Sequence, residues 1–201
     1  YMSRIVVLGA GESGAGAAVL AKVKGFDTFV SDMSAIKDKY KELLNKHGIA
    51  WEEGQHTEEL ILNADEVVKS PGIPNDAPLI LKLKEKGISI ISEIEFAGRY
   101  TNAKMICITG SNGKTTTTTL TGEIMKAHFG AEKTFVVGNI GNPYTLEVTK
   151  TSKDSVTVGE ISSFQLETIH TFHPVVSAIL NITPDHLNRH HTMEAYVAAK
   201  D

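Results

Sequence analysis

The chain has 201 residues, 41% of them apolar and 22% charged, which is ordinary folded-protein usage and excludes a disordered or coiled-coil composition; at roughly 150 residues per domain, it holds one large domain or two small ones. The formal net charge is -4, with 11 basic against 15 acidic residues up to Gly98 and 9 against 9 from Arg99 onward, so neither half offers the cationic face of a nucleic-acid binder. The single cysteine, Cys107, rules out an internal disulfide and lies in an apolar run, and with no signal-peptide pattern and no uncharged apolar stretch near the roughly 18 residues a membrane span needs, a reducing, cytoplasmic location without membrane insertion is expected.

In chain order, residues 4–8 form a short β-branched run ending in glycines and predict a strand. The alanine-rich stretch 13–24 predicts a helix, and 28–31 a second strand. Further short strands are expected at 67–69 and 88–91, with a helix over 78–86 between them. Strands alternating with helices predict a parallel sheet flanked by helices. The polar, glycine-containing stretch 97–102 is the expected domain boundary, dividing the chain into 1–98 and 99–201. The pattern then restarts, with strands expected at 105–109, 134–137, 155–158 and 175–180. A last helix begins near Thr192 and meets no stop signal before Asp201, so the second domain is expected to be the front part of a longer one. The fold class is therefore α/β: a Rossmann-like parallel-sheet domain, then a truncated P-loop-type parallel α/β domain.

Thr109-Gly110-Ser111-Asn112-Gly113-Lys114-Thr115-Thr116 follows a strand and opens a helix. In that context backbone N–H groups and the helix N-terminus cradle phosphates, with Lys114 reaching the β- and γ-phosphates and Thr115 holding Mg²⁺. The common P-loop pattern asks for glycine where Ile108 stands, so a shorter glycine pattern is implied. The blander alternative is a capped helix with a surface lysine. Gly9-Ala10-Gly11-Glu12-Ser13-Gly14 follows the first strand, and Asp32 lies 18 residues beyond Gly14; this is dinucleotide-site spacing, although tight strand–helix packing gives the same glycines. Ser70-Pro71-Gly72 lies in a loop after the strand at 67–69, where turn chemistry alone is the rival reading. Glu160 follows the strand at 155–158, where nucleotide-using sheets place a second magnesium ligand. His186 comes just past the strand at 175–180, toward the same sheet edge. In the last helix Met193, Tyr196 and Val197 put Lys200 on an apolar stripe. Burial there favours a neutral amine able to take up CO₂ as a carbamate, and the rival is a lysine that snorkels to solvent.

Taken together, the loop at 109–116, Gly138-Asn139-Ile140-Gly141, residues 160–166 and Asn181-Ile182-Thr183-Pro184-Asp185-His186 resemble the Mur ligases of peptidoglycan synthesis. Ser-Ser-Phe-Gln-Leu after Glu160, with Ser70-Pro71-Gly72-Ile73 upstream, is most similar to the branch that joins D-glutamate to UDP-N-acetylmuramoyl-L-alanine. The resemblance implies a UDP-binding domain, a central ATPase domain and a C-terminal domain absent here, so the chain alone is expected to be inactive. It implies an ATP-dependent amide-forming reaction through an acyl phosphate, two Mg²⁺ sites, small-molecule partners and a monomer. By the family's pattern, Gly110, Ser111, Asn112, Gly113, Lys114, Thr115 and Thr116 bind ATP. Thr115 and Glu160 would hold one Mg²⁺; His186 and a carbamylated Lys200 would hold the other. Asn139, Ser162 and Gln165 match positions that contact the muramoyl substrate, while Gly11, Ser13, Gly14, Asp32, Ser70, Pro71 and Gly72 match those around the uridine diphosphate. One departure stands after Asp32, where Met33-Ser34 replaces a polar residue and an arginine. The rival readings are a sibling ligase adding another amino acid, a folylpolyglutamate synthase-like ligase, and a nicotinamide-dependent dehydrogenase.

Overall fold

The computed structural model describes residues 2–138, 142–167, 169–185 and 193–200, without the side chains of 195, 196, 199 and 200. It comprises two compact units, Tyr1–Ala97 and Gly98–Asp201, each built on its own parallel sheet.

In the first unit the elements run β1 (Arg4–Leu8), α1 (Glu12–Val23), β2 (Asp27–Asp32), α2 (Asp38–Lys46), β3 (Ala50–Glu53), α3 (Glu58–Ile61), β4 (Glu66–Lys69), α4 (Pro78–Glu85), β5 (Ser89–Ser92) and α5 (Glu93–Gly98). The strand order is β3-β2-β1-β4-β5 and every pairing is parallel. All four of Ile5, Val6, Val7 and Leu8 are buried. Successive side chains point to opposite faces, so both faces of the central strand are covered, as a parallel sheet requires. On one face Val6, Leu8, Phe29 and Val67 pack with Ile61, Ala64, Ile80 and Leu83 from the α3 and α4 region. Truncating a residue so enclosed, such as Leu83, to Ala costs about 2–5 kcal/mol. Helix α1 lies against β1 and β2, and its small residues from Gly14 to Ala21 are buried on all sides. Pro78 starts α4 at the position where a missing N–H costs nothing. The chain leaves β1 toward β2 and β3, then returns to build β4 and β5 on the other side. That reversal opens a crevice at the carboxyl ends of β1 and β4.

In the second unit the elements are β6 (Lys104–Thr109), α6 (Lys114–Phe129), β7 (Thr134–Val137), α7 (Tyr144–Glu147), β8 (Val156–Glu160), α8 (Ser163–Leu166), β9 (Val176–Ile179) and α9 (Met193–Lys200). Among the described residues the sheet order is β7-β8-β6-β9, again parallel throughout. Ile108 pairs with Glu160 and Thr109 with Ile179, so β6, β8 and β9 end level and send their loops to one edge. Threonine is a poor helix former, yet α6 forms through a run of five. Thr119 and Thr121 donate their hydroxyls to the carbonyls of Thr115 and Thr117 at 2.8 and 2.7 Å, and the helix lies along β7 and β8. The approach is close because Gly122 has no side chain: a Cβ there would stand 2.5 Å from Val136 Cγ2.

Four elements of the first unit, α2, β3, α3 and α5, have no counterpart among the elements that the sequence predicts. Residues 38–46 are mostly charged, and their helix buries Leu44 alone. β3 is a four-residue edge strand paired on one side only, with no apolar alternation to reveal it.

Candidate functional site

In the second unit, the loop from Gly110 to Gly113 joins β6 to α6. Gly113 caps the helix in the left-handed region at φ 83°, where glycine is free of Cβ strain. Lys114, the first helical residue, folds back over the loop, its Nζ donating to Gly110 O at 2.8 Å and Ser111 O at 3.3 Å. Its ammonium therefore sits among the loop's backbone groups at the helix N-terminus, where an anion is favoured. Thr115 follows on the exposed first turn of α6. Its hydroxyl donates to Glu160 Oε2 at 2.9 Å. Glu160 ends β8 and is only 3% exposed. A hydroxyl and a carboxylate at that spacing suit a hard cation such as Mg²⁺, which uses one or two protein oxygens and completes its shell with phosphate and water. Among the described residues no cluster of three or more His, Cys, Asp or Glu side chains forms a protein-only metal cage.

Two further residues shape the loop, and the sequence reading assigned neither a role. Asn181, just past β9, accepts the Ser111 and Asn112 N–H groups on Oδ1 at 3.1 and 2.9 Å and donates from Nδ2 to Asn112 O at 2.9 Å. Thr183 donates its N–H to Ser111 Oγ at 2.9 Å, and that hydroxyl donates to Thr183 O at 3.0 Å. The segment after β9 thus clamps the loop from Gly110 to Gly113. The available signal was its position at the end of a strand neighbouring β6. Gly138, at φ 113° beyond β7, lies so near β8 that a Cβ would fall 2.2 Å from Glu160 O.

Ser162 and Gln165 meet in a capping box at the start of α8. The Ser162 N–H donates to Gln165 Oε1 at 2.9 Å, and the Gln165 N–H donates to Ser162 Oγ at 3.3 Å. Thr116 is exposed on α6. Asn139 and His186 lie outside the described residues, as does the side chain of Lys200 on α9. Cys107, on β6, is buried, and burial pushes its thiol up to about 12, leaving no thiolate for chemistry.

In the first unit the turn at 9–14 is closely packed. Gly9 takes φ 96°, and a Cβ on Gly14 would stand 1.9 Å from Gly9 O, so α1 can approach β1 only with glycine there. Around Gly11 a Cβ would meet nothing within 4 Å, leaving the turn open to an approaching ligand. Asp32 braces the turn: Oδ2 accepts the Ala10 N–H and Oδ1 the Ser34 N–H, both at 2.8 Å. Ser13 is half-buried at the start of α1. The loop carrying Ser70, Pro71 and Gly72 meets the turn directly, for the Ser70 N–H donates to Leu8 O at 2.8 Å. A Cβ on Gly9 would also lie 2.6 Å from that of Ser70.

Residues 3–92 match the family model described as Mur ligase MurD-like, N-terminal domain, and residues 108–201 match that of the Mur ligase middle domain. The chain is 67% identical over 200 residues to a protein of Bacteroides fragilis named UDP-N-acetylmuramoylalanine--D-glutamate ligase, and 66% identical to the protein of the same name from Bacteroides thetaiotaomicron. Each match covers 99% of this chain and 44% of the relative, so the chain spans less than half the length of these curated proteins. Among solved structures, a UDP-N-acetylmuramate:L-alanyl-gamma-D-glutamyl-meso-diaminopimelate ligase from Neisseria meningitides superposes with a TM-score of 0.65 at 19% identity, over 99% of this chain and 66% of that one. At that identity the likeness is one of fold. Two successive family models, covering a glycine turn on one sheet and a glycine-containing loop on the next, place this chain in the Mur ligase family.

Proposed function

We propose that the chain supplies the nucleotide-substrate unit and the phosphate loop of an ATP-dependent ligase that joins D-glutamate to UDP-N-acetylmuramoyl-L-alanine. The observation that carries this reading is the pairing of Thr115 with Glu160 beside Lys114, three groups brought to one sheet edge from two strand ends. In the reaction the alanyl carboxylate attacks the γ-phosphorus of ATP, and ADP leaves. The D-glutamate amine then attacks the acyl phosphate, an amide forms and phosphate departs. Joining a carboxylate to a triphosphate brings anions together, so cations must offset the charge that builds on the transferring group. Lys114 and the loop N–H groups bind the phosphates, and Thr115 and Glu160 hold a Mg²⁺ that neutralises them. His186 and a carbamylated Lys200 are assigned to a second Mg²⁺ on the family's pattern alone. In the first unit the 9–14 turn and the 70–72 loop receive the uridine diphosphate, with Asp32 holding the turn in shape. The names of the relatives support D-glutamate as the incoming amine. A cytoplasmic location accords with the absence, among the described residues, of any helix long and apolar enough to cross a membrane.

The test is an assay of the gene's complete product. ADP release should require both UDP-N-acetylmuramoyl-L-alanine and D-glutamate, and the K114A variant should lose it. Turnover indifferent to D-glutamate would favour a sibling ligase. Tight NADH binding in place of UDP would instead revive the dehydrogenase reading, which leaves the second glycine loop without a task.

A further inference from the structure

Two buried ionisable side chains in the first unit have no part in the proposed chemistry. Lys69, the last residue of β4, is 1% exposed, a rare state for lysine unless the charge is paired. Its Nζ donates to Ser70 O at 3.2 Å and to Ile73 O at 2.6 Å. The Ile73 N–H donates to Ser70 O at 3.1 Å and the Ser70 N–H to Leu8 O at 2.8 Å. The ammonium therefore closes a chain of bonds that ties the 70–73 loop to the end of β1. Glu93, the first residue of α5, is 4% exposed, and its Oε1 lies 3.5 Å from where a Gly14 Cβ would stand. Lys69 acts on this carboxyl electrostatically. One side chain holds the loop and the other underlies the glycine turn, the two segments that meet at Gly9 and Ser70.

We propose that Lys69 and Glu93 are positioning residues that fix the 70–73 loop against the glycine turn and so set the width of the groove a nucleoside diphosphate enters. The inference rests on the uridine-diphosphate reading of this unit. Neither residue touches the ligand; both act through the backbone of the loop and turn. Removing the lysine leaves Ser70 O and Ile73 O without their buried donor and costs stability. The double variant K69M/E93Q also takes the titrating carboxyl away, so no electrostatic effect of Glu93 remains in it, but it does not restore the donor to Ser70 O and Ile73 O.

The experiment compares wild type, K69M and K69M/E93Q by hydrogen exchange at the Ser70 and Ile73 amides, thermal midpoint, and calorimetric titration with UDP. K69M should speed exchange at both amides and weaken UDP binding about tenfold or more, the worth of a lost bond to a charged donor. K69M/E93Q should keep the fast exchange and the weakened UDP binding of K69M, because neither carbonyl regains its donor. Wild-type UDP affinity in the double variant, or unchanged exchange at the two amides, would overturn the proposal. Wild-type protein that does not bind UDP overturns the ligand reading instead, and the exchange rates then decide whether Lys69 holds the loop.

Discussion

Thr115 and Glu160, 45 positions apart in sequence, are joined by a 2.9 Å hydrogen bond from hydroxyl to carboxylate. The parallel register of β6 and β8 makes the meeting possible, because Ile108 and Glu160 are paired and the loop that leads to Thr115 starts two residues after Ile108. If this pair holds Mg²⁺ beneath the nucleotide, EDTA should weaken ATP binding in the wild type and have little further effect in E160Q. T115A should keep metal-free ATP affinity and lose most of the Mg²⁺-dependent gain. In the complete enzyme E160Q should lower kcat by on the order of 10²-fold, as for loss of one electrostatic contact to the transferring group. Calorimetry with and without Mg²⁺ measures the first effect, and an E160Q protein with full metal dependence would refute the assignment.

Asn181 makes three side-chain hydrogen bonds to the loop backbone. N181A removes all of them and should lower stability by about 1–3 kcal/mol, moderated by the exposure of the site. N181D keeps an acceptor for the Ser111 and Asn112 N–H groups but loses the donor to Asn112 O and brings a negative charge beside the phosphates. Its ATP affinity should therefore fall below that of N181A even where its denaturant midpoint is higher. Equal affinities in the two variants would mean that the loop's shape is set elsewhere.

The strands with continuous apolar runs were legible in the sequence: β1 and β6 lie within a residue of their expected bounds, and the loops after them follow from glycine spacing. The approach of Thr115 to Glu160 was also readable, because α/β sheets gather ligands at their carboxyl edges, where the sequence places Lys114, Glu160 and His186 around one pocket. His186, expected at the same edge, lies outside the described residues. What escaped were features that composition misrepresents. Lys69 and Glu93 are charged residues with almost no exposure, and only the folded chain brings a carbonyl pair and a glycine turn against them. Asn181 has a common loop composition and is distinguished by its partners alone. Ser162 and Gln165 were read as substrate contacts from the family's pattern, and their capping box is a local task the same Ser-x-x-Gln spacing also encodes.

Gly138 offers a sharper test of how the Glu160 carboxylate is placed. At φ 113°, with a Cβ position 2.2 Å from Glu160 O, alanine is excluded both by its own backbone and by its neighbour's. G138A should cost about 2–4 kcal/mol, as strain and overpacking combine. Because the obstructed atom belongs to Glu160, the variant should also lose Mg²⁺-dependent ATP affinity while binding UDP normally. A destabilised G138A protein with intact metal dependence would separate packing from function at this position.

The buried carboxyl of Glu93 links stability to pH in the first unit. Burial pushes it up to about 8, against the opposing pull of Lys69, whereas in the unfolded chain it titrates near 4.5. Between those values the unfolded chain has released a proton that the folded chain still holds. Stability from this group is therefore fully present below about pH 4.5 and declines as pH rises toward 8. E93Q, which mimics the protonated form, should flatten that decline, so the gap between variant and wild type widens in the variant's favour from pH 5 to pH 8. K69M should carry the decline to higher pH, because it removes the cation that eases ionisation. Denaturant midpoints at a series of pH values for the three proteins measure these slopes, and parallel profiles for wild type and E93Q would show that Glu93 is already ionised in the folded unit at neutral pH.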